Sequence, residues 1–144
     1  MNKMEVYSMH EKSAVIWKKN GLAFDAKSKN GFIFPLGVSP GENITPSELL
    51  VISLIGCTAF DVISILGKMK ASVSSFRVEA ETTVSAVHPK RIEAIEFKFF
   101  IEGSKINEED VKKAIRLSEE RYCIIQNTIR TVVDISSSYD IQNI

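Results

Sequence analysis

The chain has 144 residues, 44% of them apolar and 25% charged, which suits one compact globular domain and excludes disorder and low-complexity repeats. Its 18 basic residues balance 18 acidic ones with no block of five like charges, so partners that select a strongly basic surface, nucleic acid or an anionic membrane, are excluded. Residues 1–12 mix charged and polar side chains without an apolar stretch, which predicts no secretory signal and a cytoplasmic protein.

Residues 5–9, 13–18, 21–26 and 31–34 are rich in β-branched and aromatic side chains, and Lys19-Asn20-Gly21 and Lys29-Asn30-Gly31 are hairpin joints. They predict an antiparallel meander. A loop follows over 34–43, where Gly, Pro and Ser collect without a period. Thr45-Pro46-Ser47-Glu48 then carries three helix-start signals: a Thr cap, Pro at the first helical position and Glu48 to close a capping box. Over 49–67 the only ionised residue is Asp61, so this helix is expected to be buried. Nineteen residues approach the roughly 20 that span a bilayer, but Asp61 inside the stretch and the preceding meander favour a helix in the core.

Residues 73–87 and 92–102 alternate around His88-Pro89-Lys90-Arg91 and predict a long hairpin with His88 as a solvated turn residue. Asn107 caps a second helix opened by Glu108, Glu109 and Asp110, expected to run to about 129 with Val111, Ile115, Ser118, Tyr122, Ile125 and Ile129 on one face. The tail from 131 to 144 reads as a closing strand. The sum is a single α+β domain with antiparallel sheets around two principal helices. A chain this small has limited means to cover a helix apolar on every side, so a second copy is expected to cover part of it, giving a homodimer; the alternative is coverage by its own sheet and second helix.

Two cysteines 66 positions apart, Cys57 and Cys123, form neither a CxxC pair nor a zinc pattern, and His10 and His88 lie far from both. No metal or cofactor is expected. Turning the first helix by 100° per residue puts Ser53, Cys57, Asp61 and Ser64 on one stripe, which reads as the wall of a site or, alternatively, as serines bonded back to helix carbonyls beside a filler cysteine. On the second helix Cys123 lies just off the apolar seam, on the side shared by Arg116, Glu119, Gln126 and Arg130. Asp61 opposes ionisation of Cys57, so a cation must reach it from elsewhere; Arg116 and Arg130 are candidates, with solvated surface charge as the other option for each.

The run from Thr45 to Val62, containing Ser47-Glu48-Leu49-Leu50 and Gly56-Cys57, resembles the central-helix signature of the OsmC/Ohr family of thiol-dependent hydroperoxide reductases. His88-Pro89-Lys90 and Ser118-Glu119-Glu120-Arg121-Tyr122-Cys123 resemble two further segments of that family, in the same order. The resemblance implies an OsmC-like fold, an intertwined homodimer, and reduction of organic hydroperoxides in oxidative-stress protection. It also implies that Cys57 is peroxidatic, that Cys123 resolves it as a disulfide, and that an external thiol, often a lipoyl group, restores the pair. A second option is an OsmC-like redox-sensing or apolar-ligand-binding dimer, which the lack of an amino-terminal arginine motivates. The chain departs from the family's peroxidases in having no arginine before Arg77 and in placing Ser47 where their first-turn acid stands. The neighbouring Glu48 lies half a turn around the helix from Cys57 and about 13 Å along it.

Overall fold

The computed structural model describes residues 11–144, and the chain divides into two compact units at Leu49 and Leu50, in the first turn of the long helix. The strand expected over 5–9 lies outside the described residues. The first unit holds the predicted meander: β1 (Ala14–Trp17), β2 (Phe24–Lys27) and β3 (Ile33–Leu36), antiparallel and adjacent in that order. Both Lys-Asn-Gly joints turn through glycine at positive φ, 49° at Gly21 and 86° at Gly31, a region that a Cβ makes costly. The strand β3 runs two residues into the expected loop, because Pro35 and Leu36 pair with Asp25 and Phe24.

The helix α1 (Pro46–Lys68) starts where its sequence signals say. The Thr45 backbone N–H donates to Glu48 Oε2 at 2.9 Å, and the Glu48 N–H donates back to Thr45 Oγ1 at 3.4 Å. The expectation of burial all round is corrected. Only the stripe Leu54, Thr58, Val62 and Leu66, at successive i+4 spacing, is fully buried, while Ile52 is 52% and Phe60 80% exposed. One layer of neighbours covers one side of a helical cylinder, and the opposite side stays bare. By length and composition α1 could cross a bilayer, with a mean hydropathy of 2.4 over 18 residues, but its buried stripe is part of the protein core.

In the second unit β4 (Ser72–Val84), β5 (Ile92–Ser104) and β6 (Asp134–Asn143) form a sheet in that order. The β4–β5 hairpin is antiparallel as predicted, but β6 joins β5 in parallel, so this sheet is mixed rather than antiparallel. The helical crossover between β5 and β6 returns the chain to the starting edge, which is what a parallel pair requires. Alternate residues of β5, Ile95, Phe97, Phe99 and Ile101, are buried and meet the α1 stripe in one core cluster.

The second helix is shorter than its sequence suggests. After Asn107, whose side chain accepts from the Glu109 N–H at 2.8 Å, α2 runs over Glu108–Leu117. The chain then widens into a π-helical turn over Ser118–Tyr122, closed by the Cys123 N–H donating to Ser118 O at 2.9 Å, and restarts as α3 (Ile124–Ile129). Cys123 between them is extended, at φ −74° and ψ 107°.

Candidate functional site

Cys57 projects from the middle of α1 and is partly buried, whereas Cys123, at the break between the π-helical turn and α3, has no exposed surface. Both thiols are free, and Cys57 is near enough to Cys123 to raise its thiol. The break is what brings them together. In a continuous helix Cys123 would stand on the polar side with Arg116 and Arg130; the extended step at Cys123 instead turns its sulfur inward.

Local chemistry explains the break. Cys123 is the N-cap of α3: its Sγ accepts the Gln126 N–H at 3.4 Å, and its carbonyl accepts the Asn127 N–H at 3.0 Å. The run Cys123-Ile124-Ile125-Gln126 is thus a capping box with sulfur in place of a hydroxyl, a signal that sequence reasoning missed because cysteine is not a usual cap. The box is only half closed. The Cys123 N–H is taken by Ser118 O, and the buried Gln126 Oε1 is left without a hydrogen-bond partner among the described residues.

The surroundings of Cys123 disfavour its thiolate. Loss of water is the largest cause, followed by the neighbouring Cys57, and together they push the thiol up to about 11 against the opposing Gln126 N–H and Thr58 hydroxyl. The Thr58 Oγ1 donates to Leu54 O at 3.0 Å and lies 3.9 Å from Cys123 Sγ. None of these neighbours carries a positive charge.

The polar stripe of α1 divides. Ser53 Oγ donates back to Leu50 O at 2.7 Å, the helix-internal alternative. Asp61 reaches outward instead, and its Oδ2 accepts the Ser118 Oγ–H at 2.9 Å, which ties α1 to the turn that positions Cys123. Glu48 is exposed and engaged in its cap; the hydrogen bond from the Thr45 backbone, then that from the Thr45 side chain, holds its carboxyl below the usual range. Arg116 and Arg130 are both exposed. Glu119, by contrast, is half-buried and bonded to the Ser137 hydroxyl, and desolvation raises its carboxyl.

Beside this constellation lies a cleft of about 580 Å³ whose walls include Asp61, Ser64, Lys68, Lys113 and Tyr122. Neither cysteine lines it. Among the described residues no group of three or more His, Cys, Asp or Glu side chains is placed to hold a metal ion.

Comparison with known proteins agrees with this architecture. The family model for OsmC-like protein matches residues 39–138, a span that includes both cysteines. The chain is similar to Protein YhfA of Escherichia coli (strain K12), with 28% identity over 122 residues, 84% of this chain and 91% of that protein. A solved structure of a hypothetical protein from Aquifex aeolicus VF5 superposes with a TM-score of 0.84 at 24% identity, over 94% of this chain and 98% of that one. The organic hydroperoxide resistance protein OhrB of Bacillus subtilis superposes with a TM-score of 0.64 at 13% identity, over 92% and 98%. At these identities the structural likeness establishes a common fold.

Proposed function

The chain belongs to the OsmC-like protein family, and from that premise we propose that it reduces organic hydroperoxides through a Cys57–Cys123 disulfide cycle. The observation that carries this is the adjacency of two free thiols of unequal character, one partly open and one sealed. A place in redox or peroxide-stress chemistry accords with the family and with a fold shared with an organic hydroperoxide resistance protein.

Unequal exposure supports unequal roles. Cys57, which a substrate can reach, attacks the terminal peroxide oxygen as its thiolate. The S–O bond forms, the O–O bond breaks, and the peroxide proton leaves with the alcohol, so two electrons pass from sulfur to peroxide. The Cys57 sulfenate takes up a proton to become a sulfenic acid. The Cys123 sulfur then attacks Cys57, the S–S bond forms, the S–O bond breaks, and water leaves with the Cys123 proton. An external dithiol, for which a lipoyl group is the proposed class, reduces the disulfide by exchange in the cytoplasm. The bare side of α1, with Phe60 at its centre, is proposed to meet a second copy of the chain. Steady-state turnover of cumene hydroperoxide with dihydrolipoamide tests the proposal: activity is expected in the native chain and absent in Cys57→Ser, and equal rates in the two would overturn it.

A second reading is favoured by one observation in the first unit, an apolar cleft of about 390 Å³ lined by Val15, Leu22, Phe24, Leu36, Val38 and Pro46. Here the protein holds an apolar ligand and its thiols report oxidation without turnover. Saturable binding of an uncharged alkane probe, together with disulfide formation that dithiols fail to reverse, is the result expected of this reading.

A further inference from the structure

We propose that the cleft between the C-terminal half of α1 and α2 is a binding site for an anionic amphiphile, a single negative head group on a short apolar body. The inference rests on what lines the cleft and does not depend on the thiol chemistry. Asp61, Ser64, Ile65 and Lys68 follow one another at i, i+3, i+4 and i+7, so they form one wall along α1. Lys113 and Leu117, one turn apart, line the cleft from α2, and Tyr122 of the π-helical turn also lines it.

The charges in the cleft are unequal in their commitments. Asp61 accepts a hydrogen bond from Ser118, whereas Lys68 and Lys113 make no ion pair among the described residues. The adjacent Lys112 shows the contrast: its ammonium lies 3.2 Å from Glu109 and 3.7 Å from Glu108. Lys68, in the last turn of α1, and Lys113, on α2, line the cleft from two helices, and their ammonium groups, unpaired among the described residues, are what an anionic head group would meet there. From Lys68 the wall runs seven residues back to Asp61, about 10 Å along the helix, past Ile65, with Met69 and Leu117 also lining the cleft. That length asks for an apolar body behind the anionic head. A polar tip that donates a hydrogen bond would meet Asp61 at the far end.

The volume of about 580 Å³ is in the range of small-molecule sites, and an apolar lining with a few convergent polar groups is their usual composition. The proximity has a consequence for the sulfur pair. Asp61 holds Ser118, and Ser118 O holds the Cys123 backbone, so an occupant of the cleft touches the bonded chain that positions Cys123.

Isothermal titration of the full chain with octanoate tests the site, using octylammonium, octanol and acetate to separate head from body, and vesicles of anionic lipid to separate a free ligand from a membrane surface. Saturable binding of octanoate is expected, at least tenfold weaker for octylammonium and acetate, and at least tenfold weakened in the Lys68→Gln, Lys113→Gln double variant. Lys112→Gln, which removes the same charge outside the cleft, is expected to bind as the native chain does. No saturable octanoate binding, equal binding of octylammonium, an equal loss in Lys112→Gln, or binding only to vesicles would each overturn the proposal.

Discussion

At the scale of single residues the two thiols differ in access to water, and that difference sets what each can do. Cys123 is sealed, and burial together with its neighbour Cys57 pushes its thiol up to about 11, so its thiolate is disfavoured near neutral pH. Iodoacetamide is therefore expected to label native Cys57 at least tenfold faster than Cys123, read by peptide mass; equal rates would contradict the assignment of roles. The same shift has a linkage consequence. Cys123 titrates higher in the folded chain than its ordinary value of 9.0, so between the two values the unfolded chain has lost a proton that the folded chain keeps. Its contribution to stability is complete below about 9 and is lost as pH rises toward about 11. Urea melts across that range should show a shallower decline for Cys123→Ala than for the native chain. Ser118→Ala removes a bond to a carboxylate, and a loss of about 1–3 kcal/mol in the same melts is expected.

At the scale of elements, α1 shows how far sequence can be read. Thr45, Pro46 and Glu48 specify its start by local bonds alone, and all three act as their types and spacing predict. Its burial was not legible in the same way, because composition says that a helix is apolar and leaves open which neighbours cover it. The π-helical turn was legible still less: no Gly or Pro marks it, and the sulfur that caps α3 imitates a hydroxyl only once the chain has turned. Periodicity therefore found Val111, Ile115 and Ser118, which are buried, but carried the pattern on to Tyr122, which is 54% exposed. Both site cysteines were visible as residues; their meeting depended on the break. The cap of α1 has its own pH signature. Glu48 titrates below the ordinary carboxylate value because the Thr45 N–H binds its ionised form, so the cap's contribution is present above that value and is lost as pH falls through the lowered one. Glu48→Gln should flatten the acid limb of a stability profile measured by circular dichroism, and Thr45→Ala should cost about 1 kcal/mol at neutral pH.

For the whole molecule, the unanswered surface is the bare side of α1, where Phe60 is 80% and Ile52 52% exposed. A helix with mean hydropathy of 2.4 over 18 residues that covers only one stripe within its own chain has a strong hydrophobic reason to find a partner. Sedimentation equilibrium is expected to give a dimer for the native chain and a shift toward monomer for Phe60→Glu; a native monomer at micromolar concentration would contradict the proposed association. The parallel β6 and the helical crossover serve the site at this scale too, since they return the chain across the sheet and carry Cys123 to the α1 stripe.

The most direct test of the disulfide cycle is intact mass after one equivalent of cumene hydroperoxide. The native chain is expected to lose two hydrogen atoms, Cys123→Ser to gain one oxygen atom on Cys57, and Cys57→Ser to remain unchanged. Oxygen retained on Cys57 in the native chain, or oxidation of Cys123 in the Cys57→Ser variant at the native rate, would contradict it.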